Sequence, residues 1–596
     1  MRGSQAVVEM LKAHRVKYVF GLPGDTSMPL YEALYQAQDE ITHVLTRDER
    51  SASFMADVYA RVSFRPGVCE APSGAGATYL APGVAEAHAS SIPLIALTTD
   101  TPLSGEGKNV LTALNQEALF APITKWCTLV KKADLIPDIV RRAFRLTTSG
   151  RPGAVQITLP NDVLDEELAH ASLHGDENCA VYPAYRVRPD AAAVQQAAEL
   201  LLQAERPVIV AGGGVVTSQA WAELTVLAEA LSIPVGTSIT GKGSIAEDHP
   251  LSIGVVGGNG GRDYANRLVV EADLILYAGC KTDSVTTINW TLPAPEAGKT
   301  VIHLDVDPQE IGNNYPTAVG LVGDAKLALA DLLAAVQAWT ERSERPKGLP
   351  GRNDDARLAS LRQTWTERSE RLKAEWWAAA QAKMNSPAVP IKPLRVIKEL
   401  AERLPGNSVI VADAGTPTPF TAAYFISRAG RQVIIPRGYG GLGYAIPGVV
   451  GAKLARPEAT VVGLMGDGSF SMSVGELETI ARLKLPLTII QFNNACFGWI
   501  KVLQNLYHEG RYFSVDFSTD TDHAKIAQGF GLRGVRVDRP EEIGPAIREA
   551  LASDVATFID IVTECEVTEL PPVSKWLQTA AKREKGGEEI EGGAYA

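Results

Sequence analysis

Thr460–Asn494 reads TVVGLMGDGSFSMSVGELETIARLKLPLTIIQFNN, and the way this stretch divides decides the fold. TVVGLMG is a short apolar run rich in β-branched residues, which reads as a buried strand ending at Gly466-Asp467-Gly468. SVGELETIARL then carries apolar residues at helical spacing, and PLTIIQFNN reads as a second strand that stops at Asn493-Asn494. In a parallel sheet both strands finish at one edge, where open α/β sheets bind their ligands. Asp467 and Asn494 can therefore meet, although 26 residues lie between them.

Each of these two side chains offers a hard oxygen, which suits Mg²⁺ or Ca²⁺ far better than zinc. Two protein oxygens leave coordination positions open for phosphate oxygens. The glycines let backbone amides approach an anion, and the N-terminus of the following helix adds a favourable dipole. Alone, GDG and NN are ordinary turn sequences at strand ends. Joined by a strand–helix–strand unit, they point to a phosphate-bearing ligand held through a cation.

Outward from this stretch the same alternation covers most of the chain. VKYVF (16–20), VIVAG (208–212), LILYAG (274–279), TVIHLDV (300–306) and SVIVAD (408–413) are further apolar, β-rich runs set between helical patterns. The expected fold class is α/β, with parallel sheets covered by helices on both faces. Two stretches interrupt the pattern. Residues 172–190 are polar and carry two prolines, and residues 341–392 are charged, include PKGLPGRNDD and end in NSPAVPIKP. They divide the chain into three doubly wound domains, 1–172, 190–340 and 393–565, with 341–392 as a linker and 566–596 as a tail or lid. TERSER occurs at 340–345 and again at 366–371, which reads as a solvated helical face rather than a repeat array.

Bulk composition excludes several classes. The 596 residues are 45% hydrophobic and 21% charged, the balance of an ordinary folded chain. Lys plus Arg is 57 against 69 for Asp plus Glu, a formal charge of -12, which disfavours nucleic acid and anionic lipid as partners. No apolar run reaches the roughly 18–20 residues that span a bilayer. The six cysteines lie far apart without a CxxC pair and read as reduced core thiols, so the expected location is cytoplasmic.

GDG followed, one strand–helix–strand unit later, by NN resembles the signature of thiamine-diphosphate (ThDP) enzymes. Other stretches resemble the acetohydroxyacid synthase superfamily in the same order. They are GLPGDTSMPLYEAL (21–34), RDERSASFMADVYAR (47–61), PSGAGATYLAPGVAEAHASSIPLIALT (72–98), RPGAVQITLPNDV (151–163) and GYGGLGYAIPGVVGAKLA (438–455). The resemblance implies Mg²⁺ held by the side chains of Asp467 and Asn494 and by the backbone carbonyl of Cys496. It implies ThDP contacts at Gly24, Thr416, Thr418, Gly440, Gly466, Gly468 and Ser469, with Leu442 as the bulky residue that bends the cofactor.

The family's catalytic glutamate falls at Glu49. It ends a strand-like run and precedes a helix with a small, apolar face, so burial would raise its pKa and let it share a proton with a neutral heterocycle. By resemblance it favours the imino tautomer of the aminopyrimidine, which then removes the thiazolium C2 proton. The alternative is a helix N-terminal acid that satisfies the dipole. Asp25, Asn115 and Gln116 are the substrate-side candidates. Gln116 falls where the synthases carry a Phe-Gln pair, here with Asn115 in place of the aromatic. Asp25 falls where pyruvate decarboxylases have an acid, but their His-His pair has no counterpart. His88 is either a pocket residue or a residue of the helix surface.

The central stretch keeps a nucleotide-binding look, with Gly213, Gly214, Lys281, Asp305 and Asp324 as candidate contacts. The synthases bind FAD here and their acyl-CoA relatives ADP or the adenosine end of CoA. The flavin-type Arg-Phe-Asp-Asp-Arg run is replaced by Lys281-Thr282-Asp283-Ser284-Val285, which favours ADP or CoA over FAD, and an empty domain is the third alternative. The tail, with Pro571, Pro572 and Trp576, resembles the lid of oxalyl-CoA decarboxylase and 2-hydroxyacyl-CoA lyase; its Lys575, Lys582, Arg583 and Lys585 either meet CoA phosphates or form a solvated basic helix. The leading expectation is thus a 2-hydroxyacyl-CoA lyase-like enzyme, with an acetolactate-synthase-like carboligase on pyruvate or another 2-oxo acid as the alternative. The family joins its active sites between subunits, which implies a homodimer or homotetramer.

Overall fold

The computed structural model describes residues 1–169, 172–341, 352–428, 430 and 432–584. They form three six-stranded sheets in which every strand pairing is parallel. In the first, the spatial order is Thr42–Leu45, Tyr18–Gly21, Gly67–Ala71, Leu94–Asp100, Ala154–Pro160, Trp126–Leu129. In the third it is Val433–Ile434, Val409–Ala412, Val461–Gly466, Thr488–Asn493, Thr557–Val562, Arg533–Val537. Numbered within its own domain, each of these sheets runs 2-1-3-4-6-5, so the two domains share one topology. The central sheet differs: Val319–Val322, Thr300–Asp305, Leu274–Ala278, Pro207–Ala211, Val235–Thr237, Ser252–Val255. Its order is that of dinucleotide-binding sheets, with the reversal between Pro207–Ala211 and Leu274–Ala278. The α/β, doubly wound architecture is as expected. Strands such as Ala154–Pro160 and Thr488–Asn493 are buried at every position because helices cover both faces of each sheet.

The first and third domains share a core. Helix Glu49–Ser63 lies on helix Ala445–Ala455, and a Cβ at Gly451 would come within 2.2 Å of the Met55 carbonyl oxygen, so glycine permits the contact. A buried charge cluster ties the central domain to the third. Glu247 takes Lys242 on Oε2 and Arg262 on Oε1, the latter at 3.2 Å, while Arg262 Nε donates to the Ala423 carbonyl at 2.8 Å.

Between the second and third sheets, residues 352–384 form one 33-residue helix, Arg352–Met384. Trp365 Nε1 donates to the Pro207 carbonyl at 3.1 Å and Arg362 Nε to that of Ala204 at 3.1 Å, so this charged stretch braces the central domain. The second TERSER copy lies on it, whereas most of the first lies outside the described residues. The tail docks as well. Gly260 N–H donates to the Pro572 carbonyl at 2.8 Å, Ser574 N–H to that of Gly258 at 2.8 Å, and Trp576 packs on Trp499 at 4.3 Å between ring centroids. Lys585 and the closing GGEEIEGGAYA lie outside the described residues. No described helix is long and apolar enough to cross a membrane.

Candidate functional site

The strands Val409–Ala412 and Val461–Gly466 are neighbours at which the third sheet reverses direction, and an acid follows each: Asp413 and Asp467. Strand Thr488–Asn493 lies next to Val461–Gly466, so Asn494 arrives at the same edge. Asp467 is buried. Its Oδ1 accepts from Gly468 N–H at 2.8 Å and its Oδ2 has no partner. Burial pushes its carboxyl up to about 7, against the pull of the Gly468, Ala495 and Asn494 backbone N–H groups and with a push from the Glu566 charge. Asp413, also buried, rises to about 7 for the same reason, although it accepts from Ala445 N–H at 3.1 Å.

Glu566, just beyond the last strand, is the third acid at this edge. Its Oε1 accepts from the Thr416 hydroxyl and its Oε2 from Asn494 Nδ2 at 2.9 Å, and burial pushes it up to about 7. Asn494 Oδ1 accepts from Cys496 N–H at 3.2 Å. Cys496 Sγ is also 3.3 Å from Cys565 Sγ.

Of these acids, Asp467 lines a cavity of about 370 Å³. Of the residues expected to contact ThDP or its metal, Thr416, Gly440, Leu442, Gly466, Asp467, Gly468, Ser469 and Cys496 line it. Gly24, Thr418 and Asn494 are not in its lining; the Thr418 hydroxyl donates instead to the Asp413 carbonyl at 2.8 Å. The chamber fits a cation–diphosphate group. An unpartnered, buried carboxylate oxygen on Asp467 supplies a hard ligand where a charge is missing. Gly466 and Gly440 leave open space where any Cβ would project, and Gly440 has φ +66°.

Among the described residues, the first domain of the same chain contributes none to this cavity's lining. Glu49 opens its helix behind Asp48, whose side chain accepts from Arg50 N–H at 2.7 Å. Burial raises the Glu49 pKa, and the Asp48 and Glu70 charges add to it. Gln116 is buried: Nε2 donates to the Thr99 carbonyl at 2.9 Å while Oε1 has no partner. Asn115 caps the short helix after it, accepting from Ala118 N–H at 2.9 Å, and Asp25 is exposed in a turn. None of the four lines the cavity, nor does half-buried His88.

A second cavity, of about 230 Å³, sits where the central sheet reverses. Gly213, Gly214, Lys281, Asp305 and Asp324 all line it. Lys281 donates to the Ala89 carbonyl at 2.7 Å and burial lowers its pKa to about 8; burial raises Asp305 to about 6. Asp324 is engaged with Arg186 at 2.8 Å and with the Ser218 hydroxyl at 2.7 Å.

Sequence reasoning missed three residues here. Glu566 stood only as the first residue of the tail, and Arg437 lay one position before a quoted motif. Glu86, 1% exposed, accepts from the backbone N–H groups of Arg437, Gly438, Tyr439 and Gly440 at 2.7–3.3 Å and so fixes the loop that carries Leu442. An acid inside the small-residue helix AGATYLAPGVAEAHA was its only sequence signal.

The sequence also matches known families. Residues 1–119, 194–332 and 413–561 match the N-terminal thiamine pyrophosphate-binding, central, and C-terminal thiamine pyrophosphate-binding domains of thiamine pyrophosphate enzymes. The chain belongs to the thiamine pyrophosphate enzymes. It is similar to a probable acetolactate synthase large subunit of Methanocaldococcus jannaschii, 37% identical with 95% of this chain and 92% of that protein aligned. A probable acetolactate synthase large subunit of Methanococcus aeolicus is 35% identical over 96% and 94%, and an acetolactate synthase of Arthrospira platensis 32% over 94% and 93%. The chain is therefore a ThDP-dependent enzyme of the acetohydroxyacid synthase-like superfamily, a carboligase by class.

These relatives overturn the 2-hydroxyacyl-CoA lyase expectation in favour of its alternative. That expectation rested on the departures at Asn115 and Lys281 and on the tail. In the structure Arg583 donates to the Asn505 carbonyl at 3.0 Å, a packing contact on the neighbouring helix.

Proposed function

We propose that this enzyme joins two 2-oxo acids in an acetolactate-synthase-type reaction: two pyruvates give acetolactate and CO₂. The observation that carries the reading is the chamber at the third sheet's edge, with its unpartnered Asp467 oxygen, in a chain that aligns nearly end to end with acetolactate synthases. ThDP, when bound, supplies the electron sink that lets a 2-oxo acid lose CO₂ and its acyl carbon attack a second carbonyl.

The chain's own residues do the rest. Asp467 Oδ2, Asn494 Oδ1 and the Cys496 carbonyl would hold Mg²⁺, and Asn494 Oδ1 already accepts from Cys496 N–H. Leu442, on the loop fixed by Glu86 and lining the chamber, would be the apolar residue beneath the cofactor. Glu49, protonated more readily than an exposed glutamate, exchanges a proton with the pyrimidine ring. Because Glu49 does not line its own chain's cavity, it acts in that of a second copy, which makes the enzyme a homodimer or a dimer of dimers. Trp576 and Lys575 roof the chamber and exclude water from the reacting carbon.

The central cavity takes the adenosine diphosphate portion of a nucleotide, at the sheet reversal where such groups bind. Equilibrium dialysis against ADP and FAD separately identifies which. The function itself is tested with ThDP, Mg²⁺ and pyruvate, scoring acetolactate as acetoin after acid decarboxylation. Enzyme with ThDP bound that forms no acetolactate would overturn the reading.

A further inference from the structure

Arg437 stands between strand Val433–Ile434 and helix Ala445–Ala455, and it lines both cavities. Its backbone is fixed, since its N–H donates to Glu86 Oε1 at 2.9 Å and the next three N–H groups also bind that carboxylate. Its side chain is another matter. Among the described residues the guanidinium makes no hydrogen bond and no ion pair.

The two acids that act on it through charge are Asp283 and Glu86, and both are already engaged. Asp283 accepts from Val285 N–H at 2.9 Å, Thr286 N–H at 3.0 Å and the Thr286 hydroxyl at 2.9 Å. Glu86, besides the four backbone donors, takes Arg61 at 3.4 Å and the Ser90 hydroxyl at 2.7 Å. An arginine stays charged even where burial lowers its pKa. A half-buried cation whose neighbouring acids are already hydrogen-bonded elsewhere is a group that an arriving anion can pair.

We infer that Arg437 binds the carboxylate of the 2-oxo acid, and so selects that substrate class, at the wall shared by the two cavities. The inference rests on the carboligase reading above. A planar guanidinium presents two parallel N–H donors that match a carboxylate. The same chamber wall includes Val285, Ile288 and Leu442, an apolar surface suited to a short alkyl chain. The central cavity has basic groups of its own in Lys281 and Arg151.

The test compares Arg437→Gln and Arg437→Lys with the parent, each as holoenzyme with ThDP and Mg²⁺. For Arg437→Gln the KM for pyruvate should rise about 10- to 100-fold, as expected for loss of charged hydrogen bonds. Its kcat should stay within a few-fold and its ThDP affinity within about twofold, read by tryptophan quenching. Lysine keeps the charge without the fork and should fall between. The parent should bind oxamate far more tightly than neutral pyruvamide, which cannot lose CO₂ and so only competes for the site, and this difference should collapse in Arg437→Gln, a change that a purely structural role would not produce. An unchanged pyruvate KM, or a loss confined to ADP or FAD binding, would overturn the inference while leaving the carboligase reading intact.

Oxamate, a non-reacting 2-oxo acid mimic, separates the two failures. If the parent binds oxamate by calorimetry and the glutamine variant does not, Arg437 holds its role even where no acetolactate forms. If the parent neither binds oxamate nor forms acetolactate, both readings fall. Should the glutamine variant misfold, the lysine variant decides, and a pyruvate KM equal to the parent's in it would count against the inference.

Discussion

Asn494 Nδ2 donates to Glu566 Oε2 at 2.9 Å, so an acid from beyond the last strand holds one of the two side chains that reach the strand edge around Asp467. Asp413, Asp467 and Glu566 are all buried there, and burial raises each to about 7. In the unfolded chain such carboxyls titrate near ~4. Between about pH 4 and about pH 7 the folded, ligand-free chain therefore binds more protons than the unfolded one, and its stability falls as pH rises through that window. Above about 7 the slope from these groups vanishes. A cation competes with the same protons, so Mg²⁺–ThDP should stabilise the fold more at pH 8 than at pH 5.5. Thermal unfolding across this range, with and without the ligands, checks both signs; a ligand-induced shift that shrinks as pH rises would refute the account.

Asp467→Ala should abolish Mg²⁺-dependent ThDP binding, with affinity down at least about 100-fold, because the diphosphate keeps its charge and loses a bridging ligand. The ligand-free variant should melt no lower than the parent. Its lost carboxylate is buried with one oxygen unpartnered, and such a group costs more than it returns. Calorimetry and melting curves together make the case. Unchanged ThDP affinity removes Asp467 from the site.

How far the sequence led follows from what each feature depends on. The crossover from Val461 to Asn493 is legible because a strand's end and a helix's period are local patterns. The parallel alternation carries the same information three times over, hence the three sheets. Glu566 and Arg437 were not legible as site residues. Their partners lie 72–150 positions away for Glu566, and Arg437 stands out only because nearby acids are occupied. The Arg352–Met384 helix was hidden because its buried contacts come from Arg362 and Trp365, whose stems and ring pack while the surrounding charge reads as linker. The acyl-CoA expectation failed because single departures such as Asn115 and Lys281 do not encode a substrate and a basic tail does not encode what it packs against.

Glu247→Gln should destabilise the junction of the central and third domains by about 3–5 kcal/mol, the usual cost of stripping the partner from buried charges. Among the described residues Glu247 is the acid paired with both Lys242 and Arg262, all three with no side-chain exposure. Burial already lowers Lys242 to about 8, so loss of the acid drives it toward neutrality at physiological pH. Chemical denaturation measures the change. A shift below about 1 kcal/mol would mean that the cluster is relieved by relaxation, which the packing of Ser427 and Ala423 around it argues against.

Glu49→Gln should keep its fold and bind ThDP within a few-fold of the parent, yet turn over at least about 100-fold more slowly, since glutamine keeps the shape but cannot exchange a proton. Asp467→Ala is expected to be inactive for the separate reason given above. Mixing the two inactive proteins tests where the site is built. Neither Glu49 nor Gln116 lines the chamber that Asp467 borders in the same chain. If the first domain of one copy completes the chamber of another, a mixed dimer holds one site with both Glu49 and Asp467 and one with neither. Random reassortment, after mild dissociation and reassembly, should then restore about a quarter of parental activity. Recovery should follow the fraction of mixed dimers seen by native mass spectrometry. Mixed dimers without recovered activity would place Glu49 and Asp467 in one chain's site, or remove one of them from catalysis, and the ThDP affinity of each parent variant tells these apart.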